Sequence, residues 1–250
     1  MTGEKAMAAE ATVLITGSGR GLGVALVREF ASHGWNVLAT ARRPEAAMEL
    51  AALARANPRI VVETLDVTSV TSMQALAARL RGQPIDVLFN NAALLGDRHD
   101  EGNRRQQLGQ LDEALFAQVM RTNVFGPLKL SETLLDNVLA GSRRRIVALT
   151  SGLGSLAMMG QMSRFYYYQM SKAALNMGFR ALRHDLQPRG ITVALLAPGM
   201  VATDMLAESG YRGEALSPAA SAAGLYKLVE ALTPADPGLP VNVDGKVIPW

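Results

Sequence analysis

Tyr168 and Lys172 are separated by four positions, so a helix over Phe165–Leu186 carries both side chains on one face. A phenol, ordinarily near a pKa of about 10, is a poor acid or base at neutral pH. A neighbouring ammonium favours its charged form, so Lys172 is expected to lower that value and fit the pair for proton transfer. Tyr166 and Tyr167 lack a lysine at that offset and read as packing or cavity wall. Ser151, just past the apolar run Arg145–Thr150, carries a hydroxyl able to donate to an oxygen as negative charge develops on it. A serine at a strand end is also an ordinary turn former.

A second cluster is built for phosphate. The run Thr16-Gly17-Ser18-Gly19-Arg20-Gly21-Leu22-Gly23 follows an apolar strand and opens a helix through Val24, Leu26, Val27 and Phe30. Glycines there let backbone approach a pyrophosphate, and a helix start offers free N–H groups and a positive dipole end. The spacing, Gly17-xxx-Gly21-x-Gly23, departs from the general dinucleotide pattern G-x-G-x-x-G. At the end of the second strand an NAD site would present an acid to the ribose, and this chain has Arg42 and Arg43. Arg42, helped by Arg20, suits a 2′-phosphate, which favours NADPH over NADH. The alternative is that these arginines only decorate the next helix. Asp66, beside Val67, either receives the adenine amine or caps a helix. Asn90, Asn91 and Ala92 end the fourth strand, where short amides can hold a ribose or tie strand edges.

The elements that must position these residues follow from alternation. Apolar, β-branched runs are expected as strands at Ala11–Thr16, Asn36–Ala41, Ile60–Leu65, Ile85–Asn90, Arg145–Thr150, Ile191–Leu196 and near Pro240–Val243. Amphipathic stretches are expected as helices from Gly21 and over Glu45–Ala56, Ser69–Leu80, Leu111–Arg121, Pro127–Ala140, Phe165–Leu186 and Pro218–Ala231. That order gives an α/β Rossmann-type doubly wound parallel sheet of about seven strands with helices on both faces. The polar segment Gly96–Gln110 reads as a surface loop, or as a flap beside the ligand edge.

The 250 residues fit one domain, 1–250, with Met1–Glu10 expected as a mobile tail rather than a secretory signal and the cytoplasm as the expected compartment. At 49% hydrophobic and 19% charged residues the chain is globular, and no apolar run is long enough for a membrane helix. No cysteine is present, which removes disulfides and thiolate sites, and His33, His99 and His184 are too scattered for a metal cluster. The formal charge of +3 comes from dispersed basic residues, and aromatics are only 5%, so no nucleic-acid surface is expected.

Taken in order, the glycine run Thr16–Gly23, Asn90-Asn91-Ala92, Asn123, Ser151, Tyr168-xxx-Lys172 and Pro198-Gly199 resemble the short-chain dehydrogenases/reductases over about residues 11 to 250. The segment Tyr168–Met177 and the terminal Gly245–Trp250 look more narrowly like the C-factor and sniffer-type carbonyl reductases. The resemblance implies NADP(H)-dependent carbonyl reduction. It makes Tyr168 the proton donor and gives Lys172 a second duty at the nicotinamide ribose. Ser151 would orient the carbonyl, and Asn123, at a helix irregularity, would anchor a relay water. Pro198, Gly199 and Thr203 would line the nicotinamide, and pairing as a homodimer or homotetramer is common in the family. Two departures stand out: Ala93 replaces a usual glycine, and Ser151 precedes Tyr168 by 17 positions, leaving Ser155 as a rival.

Leu94, Leu153, Met158, Met159, Met162, Phe165 and the Met200–Gly210 loop are expected to wall an apolar site for an aldehyde, ketone or quinone. An NADP(H)-binding regulatory protein on the same scaffold is the alternative function. A sugar-nucleotide epimerase or dehydratase would need a longer substrate domain after the last strand.

Overall fold

Along each central strand, side chains alternate between two destinations, as the two-residue period of a strand requires. In β1 (Thr12–Ile15), Val13 and Ile15 enter one apolar cluster and Leu14 the other. The same division holds for β2 (Asn36–Ala41), where Val37 and Ala39 oppose Leu38. β3 is Ile60–Thr64, β4 is Val87–Asn90 and β5 is Arg145–Leu149. In β4, Val87 and Phe89 face away from Leu88, and in β5, Val147 and Leu149 face away from Ile146 and Ala148. Strands apolar on both faces need cover on both, which is the condition for a parallel sheet between helices. β6 (Thr192–Ala197) and β7 (Val241–Asn242) complete the parallel order β3-β2-β1-β4-β5-β6-β7.

In this computed structural model, which describes residues 11–97, 104–160 and 165–250, the helices split between the two faces. They are α1 (Gly21–Ser32), α2 (Met48–Ala56), α3 (Val70–Arg79), α4 (Glu113–Met120), α5 (Gly126–Thr133), α6 (Leu135–Ala140), α7 (Tyr166–Leu186), α8 (Asp204–Glu208) and α9 (Pro218–Ala231). Leu26, Val27 and Phe30 of α1 pack with Leu225 and Val229 of α9 on one face. Met73 of α3, Leu130 of α5 and Leu175 and Phe179 of α7 pack on the other. Truncating a fully buried side chain such as Leu88 to alanine would cost about 2–5 kcal/mol. The result is the doubly wound Rossmann-type fold. β1 and β4 are neighbours where the winding reverses, so a crevice opens at their carboxyl ends.

Several boundaries moved for local reasons. The helix expected over Pro127–Ala140 breaks at Leu134, whose backbone (φ −100°, ψ 15°) separates α5 from α6. The one expected over Glu45–Ala56 starts as a 3-10 turn at Pro44–Ala46 before α2. α4 begins after Asp112, whose carboxylate accepts the Leu115 N–H at 2.8 Å, and runs into a π-helical stretch at Arg121–Phe125. Within Met200–Gly210, expected as a loop, Asp204–Glu208 forms α8. Of the described residues within Gly96–Gln110, Asp97 and Gln106 are buried and Arg104–Gln106 forms a 3-10 turn. The expected tail Met1–Glu10, His99 and Met162 lie outside the described residues.

Candidate active site

A cavity of about 1650 Å³ fills the crevice, lined by the glycine turn, Tyr168 and residues of α8. Two close backbone approaches shape it. A Cβ on Gly23 would lie 2.1 Å from the Gly17 carbonyl oxygen, so only glycine lets α1 start against the turn. A Cβ on Gly154 would lie 2.8 Å from the Lys172 Cβ, so glycine there lets the Gly152–Gly154 turn press onto α7.

At the turn, Gly17, Gly19, Arg20, Gly21, Leu22 and Gly23 line the cavity, and α1 begins there with free N–H groups. Ser18 does not line it: its hydroxyl turns inward and donates to the Ile15 carbonyl at 2.9 Å. Arg42 and Arg43 line the cavity just past β2, whose last residue, Ala41, has its Cβ 3.7 Å from where a Cβ on Gly19 would stand. Arg20, expected beside them, is engaged with Asp204 of α8 at 2.9 Å, although both side chains are exposed. Asp66 and Val67 also line the cavity. The helix-capping role falls to Ser69, which accepts the Ser72 N–H, whereas Asp66 accepts from the Thr68 N–H and hydroxyl. Burial works to raise the Asp66 carboxyl, but those bonds and the charges of Arg42 and Arg121 hold it below the usual carboxylate range.

The amides ending β4 hold strand edges together. Asn90 donates to the Val147 carbonyl on β5 and does not reach the cavity. Asn91 donates to the Thr16 and Gly17 carbonyls, and it lines the cavity together with Ala92. Asn123 sits in the π-helical stretch, fully buried, with its amide bound to the N–H and C=O of Leu94 at 2.8 Å and to Ser171. It therefore lies behind the cavity wall rather than in it. Pro198, Gly199 and Thr203 line the cavity too, and Thr203 stands against the glycine turn, where a Cβ on Gly21 would lie 3.3 Å from its Cγ2.

Tyr168 and Lys172 do share a face of α7, and Lys172 Nζ lies 5.5 Å from the Tyr168 ring centre. Lys172 is buried and donates to the Leu149 carbonyl at 2.7 Å, which fixes the ammonium against the end of β5. Burial pushes its value down to about 8. The expected lowering of the phenol is overturned: burial pushes Tyr168 up to about 12, opposed by a hydrogen bond from Ser151. Desolvation of the phenolate outweighs that hydrogen bond, and the Lys172 ammonium stands 5.5 Å from the ring centre. Ser151 is thus the serine brought to Tyr168. Ser155 is buried and its hydroxyl accepts the Met158 N–H at 3.1 Å.

Leu94, Leu153, Met158, Phe165 and Met200 line the rest of the cavity, joined by Val247 and Ile248, which local pattern did not single out as wall. Met159 is exposed and outside the lining. A half-buried phenol, a hydroxyl and an ammonium line one cavity with the glycine turn, an arrangement able to deliver a proton next to a dinucleotide.

The chain belongs to the short-chain dehydrogenase family, whose description matches residues 11–212. It is 34% identical to the 1-hydroxy-2-glutathionyl-2-methyl-3-butene dehydrogenase of Rhodococcus sp. (strain AD45), covering 96% of this chain and 99% of the relative. Among solved structures, the carbonyl reductase Sniffer of D. melanogaster superposes with a TM-score of 0.85 at 27% identity, covering 96% of this chain and 100% of that one. A carbonyl reductase from Pseudomonas aeruginosa PAO1 in complex with NADP superposes with a TM-score of 0.81 at 32% identity, covering 97% and 100%.

Proposed function

We propose that the protein reduces a hydrophobic aldehyde, ketone or quinone with NADPH, and that Tyr168 protonates the carbonyl oxygen. The observation that carries this reading is the meeting of Ser151, Tyr168 and Lys172 in the cavity that also holds the glycine turn. The cradle fits a dinucleotide, since α1 begins at the glycine turn with free N–H groups and Arg42 and Arg43 supply cations for a 2′-phosphate. The solved carbonyl reductase with bound NADP supports the same cofactor. Bound there, the reduced nicotinamide supplies hydride to the carbonyl carbon.

The chain's own residues handle the proton. With its value near 12, the Tyr168 phenol stays protonated at neutral pH and holds the proton to be transferred. Ser151 donates to the carbonyl oxygen as charge develops there. Once the proton has left, the Lys172 ammonium faces a phenolate in a low-dielectric setting, where their attraction is strongest. The apolar wall of Leu94, Leu153, Met158, Phe165 and Met200 receives the body of the substrate and excludes water.

The test is NADPH oxidation by purified protein against a panel of aldehydes, ketones and quinones of graded hydrophobicity. Turnover rising with apolar bulk is expected, and a tight preference for a small charged acid would contradict the substrate class.

A further inference from the structure

Gln106 is fully buried in a stretch whose composition reads as solvent-facing, and it grips the helix that carries Tyr168. Helix α7 starts badly by its own means. Its N-cap residue, Phe165, sits in the left-handed region at φ 59° and ψ 43°, unfavourable for a bulky side chain, and provides no side-chain cap. The first N–H groups of a helix have no partner within it, and a buried one needs an acceptor from elsewhere. Gln106 Oε1 accepts the N–H of Tyr167 at 3.2 Å, while its Nε2 donates to the Leu95 carbonyl at 3.3 Å. Both ends of the amide thereby have the partner their chemistry requires.

These bonds bracket Tyr168. One residue before it, the Tyr167 N–H is tied through Gln106 to Leu95. The Tyr168 carbonyl accepts the Ser171 hydroxyl at 2.7 Å, and Ser171 is tied through Asn123 to Leu94. Two buried amides thus converge on neighbouring residues of the cavity wall, one from each side of the proton donor. The Tyr167 ring has its own anchorage against Phe116, 5.4 Å between ring centres, beside Leu115 and Val119. Losing the amide would free the backbone of the first turn without releasing the helix.

We infer that Gln106 is a positioning residue, supplying from a distant loop the cap that α7 lacks and so fixing where the Tyr168 hydroxyl stands. This rests on the proposed role of Tyr168. Misplacing a reacting group by about 1 Å can cost on the order of a hundredfold in rate.

Gln106→Met keeps the side-chain length and removes both polar ends, whereas Gln106→Glu, neutral at so buried a position, keeps an acceptor for the Tyr167 N–H and a hydroxyl to donate to the Leu95 carbonyl. The expected result for Gln106→Met is a kcat lowered by about ten- to a hundredfold, with KM and NADPH affinity unchanged and faster amide exchange at Tyr167. Gln106→Glu should recover most of the kcat and the protection. Wild-type kcat in Gln106→Met, or equal losses in both variants, would overturn the inference. A wild type that reduces nothing in the carbonyl panel would instead sink the role of Tyr168. Amide exchange then judges Gln106 alone, and unchanged protection at Tyr167 and Tyr168 in Gln106→Met would overturn its positioning role.

Discussion

Replacing Lys172 by methionine should make the protein more stable at neutral pH and less active. Lys172 is 2% exposed, and its value falls from 10.5 to about 8 on burial. At about 1.4 kcal/mol per tenfold change in proton affinity, the buried ammonium costs about 3 kcal/mol near pH 7. Methionine fills a similar volume without charge. It leaves the Leu149 carbonyl without the 2.7 Å hydrogen bond, a loss of about 1–3 kcal/mol. The balance favours the variant by about 1 kcal/mol near pH 7, or a rise of about 2–4 °C in Tm for a chain of this length. The sign reverses at high pH. A lowered folded-state value means the unfolded chain binds the extra proton between about 8 and 10.5, so the wild type gains stability through that window and the variant does not. Near pH 10 the cost of the ammonium has dropped below about 1 kcal/mol, and the variant should be the less stable protein. Calorimetric melting of both proteins at the two pH values checks this. A stability difference that ignores pH would refute the buried ammonium.

Three further outcomes follow from the site. Turnover in the reductive direction should fall as pH rises through about 8, because Lys172 loses the charge that stabilises the phenolate; a kcat/KM profile flat across that range contradicts it. Ser151→Ala should lower kcat by about a hundred- to a thousandfold, whereas Ser155→Ala, whose hydroxyl serves a turn, should stay close to wild type in steady-state assays. Arg42→Ala should lower the ratio of kcat/KM for NADPH over NADH by about ten- to a hundredfold, the worth of a charge-assisted contact to phosphate, and an unchanged ratio would remove Arg42 from that role.

The sheet was legible because its strands are apolar on both faces: Val13, Leu14 and Ile15 read as a buried run whichever way each points. Tyr168 and Lys172 were legible because a four-residue spacing is local. Whatever depends on distant segments was not. The rise of the Tyr168 phenol comes from desolvation in the assembled fold, which no spacing reports. The departure of Arg20 toward Asp204 joins positions 184 apart, and the inward turn of Ser18 answers to the Ile15 carbonyl rather than to a ligand. Gln106 gave no sign of itself, since a glutamine among polar neighbours reads as solvated until the start of α7 is seen to lack a cap.

Tyr168→Phe removes one oxygen and keeps the ring, so cofactor binding and fold should survive while the proton source is lost. With the best carbonyl compound of the panel, NADPH consumption by this variant should fall between about a hundredfold and ten-thousandfold, with NADPH affinity unchanged. Reduction continuing at the wild-type rate would contradict the assignment of Tyr168 as the acid.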